Sequence, residues 1–385
     1  MALRRSISFW LKLLIKVPLA LIMLLLTTYY FSPVFNFERG APFEGASFYN
    51  PYADLPSQQI RANFHAHARA WGGLTNGKTP AKEVVQLYVD LGYDLPGISN
   101  YNMLEDPMPN APIHLPMYEH GLNVGFVHQI VVNPSEATLL DYPFYQSRSH
   151  RQATFNRLRE DDNLIMVAHP SSRAGYNYED LAHLTGYELM EIISVQAVSP
   201  DHWDAALSTG HPVWGIANDD CHDTTDYDIG LCWNMIYVRD TSRASILRSL
   251  RQGKHFAVKG WQAKDMNELE YIRVTSEGLY TIKLAHPADS ITLIADQGDR
   301  VLIGTGVDSL SFQMAPQHTY LRAEVFETEP WNDWTKMFFN PVIRSKDPSL
   351  SLPPPSHSVN WPLSIIHWLF IFLLQIVLVR VLIRW

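Results

Sequence analysis

The chain has 385 residues, 46% of them hydrophobic and 18% charged, a globular composition with room for one large domain and a smaller one. A formal net charge of -9, with no basic stripe between the apolar ends, excludes a non-specific grip on nucleic-acid phosphates. Two cysteines, Cys221 and Cys232, are too few for a disulfide framework, although a single bridge between them stays open at this stage.

Residues 1–12 carry Arg4, Arg5 and Lys12 and lead into the apolar run "LLIKVPLALIMLLLTTYYF" at 13–31, long enough to span a bilayer. No small-x-small cleavage site follows it promptly, which favours an uncleaved anchor over a signal peptide. The stretch 32–57 is rich in Pro, Gly and Asn and reads as a loop leading in from the membrane. From 58 to 262, apolar runs such as "IRANF", "LPGIS", "LIMVAHP", "YELMEIIS" and "VWGIAND" alternate with helical patterns such as "TPAKEVVQLYVDLGY" and "SRASILRSLRQG". That alternation predicts an α/β fold with a largely parallel sheet, most simply a barrel.

From 263 to 345 the texture changes to short alternating strands, among them "YIRVTS", "SITLIAD" and "TYLRAEVFE", which predict a small β-sandwich domain of roughly sixty to eighty residues. A Pro/Ser linker covers 346–360, and a second transmembrane helix is predicted over 361–383, with Arg380 and Arg384 at its far end. Basic residues outside both spans predict a two-pass inner-membrane protein with cytoplasmic termini and a periplasmic, extracytoplasmic domain between them. Gln375 and His367 lie inside the second span, where each is a candidate contact with a partner membrane protein.

In "RANFHAHARAW", His65 and His67 stand two apart at the end of a strand-like run and share one face. Asp220 and His222 in "IANDDCHD" repeat that spacing after "VWGIAN", and His169 closes "LIMVAHP". A lone His-x-His is weak evidence. Three strand ends that finish in imidazole or carboxylate, at the face where barrel active sites are built, predict a divalent-metal site. Cys221, between two of these residues, alternates to the opposite face as a small core residue.

"FHAHA", "VAHP", "LMEII" and "NDDCH", followed by "LRQGKHFAVKG", resemble the PHP superfamily, the polymerase and histidinol phosphatase metallohydrolases. "AEVFE…FFNPVIR" is similar to the C-terminal β domain of a branch that includes carbamate-ester hydrolases. The resemblance covers most of the chain between the two spans. It implies a distorted (β/α)7 barrel with up to three divalent ions, usually zinc, manganese or iron, at the C-terminal strand ends. It also implies His65, His67, His169, Asp220 and His222 as metal ligands, with Glu191 at the acidic position of "LMEII" and Asp219 preceding the ligand aspartate.

The chain departs from the pattern in three places. "HARAWGGLTNG" lacks the aspartate that follows His-x-His in many members, and Ser99, Asn100 and Tyr101 stand where they carry Thr-Asp-His. Where a bridging glutamate follows a glycine, "GFVHQ" offers His128 or Gln129. These losses predict one or two ions rather than three, with His128 as a substitute ligand.

A metal-dependent hydrolase follows, with a phosphoester as the default substrate. A carboxylic, amide or carbamate ester hydrolase is the alternative, and a catalytically degenerate domain serving as scaffold or binding subunit of an envelope assembly is a third. Clustered basic side chains near the metal would favour phosphate, whereas an apolar pocket would favour a neutral ester. The catalytic candidates are Tyr101, as proton donor, oxyanion-stabilising phenol or packed rim residue; Asp219, as general base or support for a ligand imidazole; and Arg173, as a cation for substrate oxygen. Arg69 offers the same charge as Arg173, and His255 either approaches the site or packs in the core. Two spans point beyond tethering to a lipid-linked substrate, beside a small-molecule ester.

Overall fold

The structure, a computed structural model, describes residues 2–195, 197–226, 229–261, 266–328, 334–347 and 356–384. Helix α1 (Ala2–Leu26) passes into a 3-10 turn at Thr27–Phe31. The expected loop after it holds two short strands, β1 (Phe35–Phe37) and β2 (Ser47–Tyr49). Strand β3 (Gln58–Asn63) is followed by α2 (Ala81–Asp90), whose Val84, Val85 and Tyr88 form a buried stripe at helical spacing and which stops before Gly92, at φ +82°. Then come β4 (Leu95–Pro96), β5 (Met117–His120), β6 (Gln129–Val132) and α3 (Arg148–Leu158), the last opened by a capping box between Ser147 and His150.

Strand β7 (Leu164–Val167) precedes the short α4 (Tyr178–Leu181), then β8 (Leu189–Ser194), α5 (Pro200–Leu207) and β9 (Trp214–Asn218). Every residue of β8 and β9 is buried, as in parallel strands covered on both faces. The alternating part closes with β10 (Cys232–Val238), α6 (Arg243–Arg251) and β11 (His255–Gly260). Gly253 ends α6 at φ +65°, where a Cβ would meet the Trp214 ring at 2.7 Å. The remaining strands are β12 (Leu269–Val274), β13 (Leu279–Ile294), β14 (Arg300–Gln313), β15 (Tyr320–Thr328), β16 (Trp334–Phe339), β17 (Val342–Ser345) and β18 (His357–Val359), before helix α7 (Trp361–Arg384).

Two expectations change. The sheets are mixed: among the described residues β3–β4, β7–β8 and β8–β9 pair in parallel, whereas β5–β6, β6–β7 and β3–β10 are antiparallel. No continuous barrel closes either. One sheet runs β5-β6-β7-β8-β9, the other β12-β13-β15-β16-β11-β10-β3-β4, and single bridges, Tyr101 to Glu119 and Ala66 to Cys221, stitch the two together. The seams have local causes. Strand β4 is two residues long because Pro96 has no N–H for a ladder, and beyond β9 the chain leaves extended geometry at Asp220, φ +54°.

The C-terminal strands extend the sheet of the alternating part, because β11 gives its second edge to β16. One apolar core accordingly joins Tyr88 and Trp233 to Ile282 and Leu293. The terminal helices are long and apolar enough to cross a membrane, by length and composition, and almost none of either is buried. They lie side by side: β1 pairs with β18, Trp368 Nε1–H donates to Ser32 O at 3.0 Å, and Gln375 Nε2–H donates to Met23 O at 3.3 Å. Residues 348–355 of the expected linker lie outside the described residues.

Candidate metal centre

The far ends of β3 and β9 are locked together by backbone, and that positions three site residues at once. His67 N–H donates to Cys221 O at 2.7 Å, and Asp220 N–H donates to His65 O at 3.0 Å. Phe64 N–H donates to Asn218 Oδ1 at 2.8 Å, which carries the register to the end of β9. The interlock turns His65, His67 and Asp220 inward; both imidazoles are fully buried. His169 enters from the end of β7, at φ +26°, with its N–H held by Glu191 Oε2 at 2.8 Å.

Between these strand ends stands a residue that sequence reasoning missed, Glu119 on β5. Its Oε2 lies 3.4 Å from His65 Nε2 and 3.1 Å from His67 Nε2. Its Oε1 lies 2.7 Å from His128 Nδ1 and 3.2 Å from His169 Nε2. One carboxylate thus faces two imidazole pairs, and it comes from "MYEHG" rather than from "GFVHQ". A signal was present: a glutamate between Tyr118 and His120 in a short apolar run ended by Gly121. His128 comes from the loop before β6, and its ring fills the space a Cβ of Gly121 would need.

Asp220 Oδ1 completes the group, 3.1 Å from His65 Nε2 and 3.4 Å from His67 Nε2, while those two nitrogens are 3.2 Å apart. His222 joins His67 and Asp220 in a further convergent set, its ring stacked on His67 at 4.4 Å. His65, His67, Glu119, His128, His169, Asp220 and His222 therefore form overlapping triplets of potential ligands.

The atoms fit a cation. Among the described residues Glu119 Oε2 and Asp220 Oδ1 are buried without a hydrogen-bond partner, although imidazole nitrogens crowd them. Imidazole nitrogen with carboxylate oxygen is a donor set that suits zinc and its first-row neighbours. The electrostatics agree. Burial by itself lowers the His65 pKa, but Asp220, Glu119 and Glu191 outweigh it and hold the imidazole well above its ordinary range. His67 and His169 are raised in the same way, against burial, by Glu119 and Asp220. Burial alone would raise Glu119 and Asp220, yet the surrounding imidazoles hold both low. All these directions favour positive charge in the cluster, the charge a divalent ion would supply.

Other expected residues are placed differently. Glu191 is buried, but both oxygens are engaged: Oε1 accepts from His65 Nδ1–H at 3.1 Å and from Asn218 Nδ2–H at 2.9 Å, and Oε2 takes the His169 N–H. It stands behind His65, outside the convergent triplets. Asp219 turns away from the centre altogether. Its carboxylate accepts from Tyr88 O–H at 2.9 Å and from the N–H groups of Gly230 and Cys232 at 2.8 Å each, and burial pushes its pKa up to about 6. Those three hydrogen bonds hold it on the side away from the cluster, while the left-handed backbone at Asp220 carries the next carboxylate inward.

Tyr101 lies in the site, its ring stacked on His67 at 4.3 Å and its O–H directed to His222 Nε2 at 3.4 Å. Burial first, then Glu119 and Asp220, raise its pKa, so the phenol stays protonated. Asn100 faces out, accepting from Ala68 N–H at 2.8 Å. Arg69 donates to Lys78 O at 3.1 Å on the surface, and His255 is buried in β11 with its pKa lowered by burial to about 3. Cys221 and Cys232 are buried thiols, and no disulfide joins the described residues.

Arg173 lies beyond the ligands, over the Phe126 ring at 4.0 Å, while Phe126 stacks on His128 at 5.5 Å. It helps line a cavity of about 450 Å³ that also takes Arg148, Arg151, Ser171, Tyr176 and His202 into its wall. Arg148 and Arg151 are paired with Asp180, whereas Arg173 has no carboxylate partner among the described residues.

No family model matches the chain, and no curated protein is similar to it. Among solved structures, it is similar to a two-domain protein from Bacteroides vulgatus containing a predicted PHP-like metal-dependent phosphoesterase, with 13% identity and a TM-score of 0.39 over 83% of this chain and 99% of that one. At that level of likeness the chemistry has to be read from this site's own atoms.

Proposed function

We propose that the protein is a divalent-metal-dependent phosphoesterase held in a membrane by its two terminal helices. The observation that carries this reading is the buried Glu119 carboxylate with one oxygen toward His65 and His67 and the other toward His128 and His169. That donor set divides around the carboxylate, so His65, His67, Asp220 and His222 would hold one ion and His128 and His169 would hold a second, with Glu119 within reach of both groups. Bound there, a divalent ion supplies a water acidified toward neutrality and a positive charge for substrate oxygen.

The chain's own residues do the rest. Glu191, accepting from His65 Nδ1–H, keeps the Nε2 lone pair pointed at the centre, and the Asp220 carbonyl, 2.8 Å from His222 Nδ1, does the same for that ring. Tyr101, with its O–H held over the cluster, is the proton donor to the departing oxygen. Arg173 meets the anionic substrate at the cavity wall. Arg173, which has no carboxylate partner among the described residues, favours a phosphoester over a neutral ester.

The basic residues at Arg4, Arg5, Lys12, Arg380 and Arg384 put both termini on the cytoplasmic side and the centre on the other. Two apolar helices packed side by side, with almost none of either buried, fit a bilayer better than water. The test is elemental analysis of the full chain in detergent, beside His65→Ala and Asp220→Ala, with hydrolysis of an aryl phosphate and an aryl carboxylate ester. The expected outcome is two ions per chain, lost in the variants together with a phosphatase activity that exceeds the esterase activity. A metal-replete protein that binds no ion would overturn it.

A further inference from the structure

The loop that carries His128 has a second character at its tip. Between Gly121 and His128 the chain reads Leu-Asn-Val-Gly-Phe-Val, and Val124 is 72% exposed, with Leu122 exposed beside it. Across from it lies a second apolar stretch, with Leu139 and Leu140 exposed and Tyr145 79% exposed. Backbone ties make these one edge: Leu122 N–H donates to Asp141 Oδ2 at 2.7 Å, and Val124 N–H donates to Pro143 O at 3.0 Å. Five large exposed apolar side chains, beside an Asp141 carboxylate that is itself buried, are costly to leave in water together.

The same edge receives the end of the first apolar helix. Tyr29, in the turn that follows α1, accepts from Phe144 N–H at 2.9 Å and donates to Tyr145 O at 3.3 Å. Its ring packs edge-on against Tyr142 and His150, over a small core shared with Ile371 of α7. Helix α3 relates this contact to the cavity. On one side of its first turn Ser149 and His150 meet Phe35 and Tyr29; on the other, Arg148 and Arg151 enter the cavity wall. Tyr145 belongs to both the edge and the cavity. The width of one helix, about 10 Å, therefore separates the apolar helix end from an arginine-lined cavity.

We propose that this edge sits in the bilayer surface and that the substrate is an amphiphilic phosphoester taken from it, its phosphate head passing Arg173 toward the metal centre and its acyl chains left in lipid. The proposal rests on the phosphoesterase reading and names its substrate class. In the reaction, a water oxygen joins phosphorus, the phosphoester P–O bond breaks, and the released alcohol oxygen takes up a proton. From Phe126 onward the loop serves the chemistry, since its ring lies between Arg173 and His128; from Leu122 to Val124 it serves the lipid.

Two measurements on the full chain, reconstituted in phosphatidylcholine vesicles, test this. The first places a nitroxide at Val124→Cys and, for reference, at Ser276→Cys on the far turn between β12 and β13; the buried Cys221 and Cys232 stay unlabelled. Collision rates should favour oxygen over a water-soluble nickel chelate at 124 and the reverse at 276. A water-like profile at both positions overturns the proposal. The second compares phosphatidate in the vesicles with a water-soluble aryl phosphate. Leu122→Asp with Val124→Asp should cut phosphatidate turnover about tenfold and leave the aryl phosphate within about twofold. Equal loss on both substrates, no loss on either, or a wild type that cleaves only the aryl phosphate would also overturn it. A metal-loaded wild type that cleaves neither would bring down the phosphoesterase reading itself, and this one with it, even with the label in lipid.

Discussion

Two clusters of buried charge sit in this protein, and they are built on opposite principles. Around Arg322 every group finds a partner inside the chain. The guanidinium donates to both Asp204 oxygens, at 2.8 and 2.6 Å, and to Glu324 at 2.6 Å, while Tyr320 and Lys336 take the remaining acceptor sites. Around Glu119, five imidazoles and the Asp220 carboxylate converge, yet among the described residues Glu119 Oε2 and Asp220 Oδ1 have no hydrogen bond. Burial is the same in both. A satisfied network binds β15 to α5 and needs nothing more, whereas the unsatisfied one at strand ends has the donor atoms to take a cation.

The largest effect expected from this contrast is on the satisfied side. Arg322→Ala leaves Asp204 buried without its cation and Glu324 with Lys336 alone, and should lower unfolding stability by about 3–5 kcal/mol, with metal content unchanged. Denaturant titration and elemental analysis on the same preparation check both halves. If Arg322→Ala instead lost metal and kept its stability, the two clusters would not be the separate devices described here.

On the unsatisfied side, Glu119→Gln should lower turnover by about 100-fold or more and reduce bound metal. Metal at about 100 times Kd should stabilise the wild type by ~2.7 kcal/mol, and this gain should vanish in Glu119→Gln. Thermal or denaturant unfolding with and without added ion measures it.

The pH responses should differ as well. His65, His67 and His169 are raised, so their contribution to the stability of the metal-free protein is present at low pH and lost as pH rises through their elevated pKa values. Glu119 and Asp220 are depressed, so their contribution is present above the ordinary carboxylate range and lost as pH falls through their lowered values. A metal must displace the imidazole protons, and its affinity should fall about tenfold per pH unit for each proton released as the medium is acidified. Metal titrations at about pH 6 and about pH 8 test this. Glu324 opposes burial through Arg322 and Lys336, is likewise held low, and weakens its network only as acid protonates it, with no response to metal.

The smallest effect separates two adjacent aspartates. Asp219→Asn should cost about 1 kcal/mol of stability and leave metal content intact, because its carboxylate serves the backbone of Gly230 and Cys232. Asp220→Asn should remove an ion. Metal analysis of the pair distinguishes an outward residue from an inward one.

Much of the site was legible because strand ends impose a simple rule. His65 with His67, and Asp220 with His222, are two apart, and His169 directly follows an apolar run, so local spacing alone suggested convergence. The same rule did not place Asp219, because the backbone turns left-handed at Asp220. Glu119 was hidden because "MYEH" is too short to announce a strand, and its role depends on neighbours from β3, β6 and β7. The seams of the sheets were hidden for a related reason: they depend on a two-residue β4 and on the turn at Asp220, details smaller than the alternation that suggested a barrel.

Composition and periodicity by themselves determined two apolar helices at the ends, an alternating α/β stretch, a β-rich stretch after it, and histidines at strand ends. Each of these is written in residues close together, where backbone geometry enforces a period. Only the tertiary structure decided that β11 joins both parts into one sheet, that Glu119 stands between four imidazoles, and that Arg322 reaches Asp204 across the fold. Those contacts link residues far apart in the chain, and their partners are chosen by strand register and by the need to satisfy every buried charge, neither of which leaves a local trace.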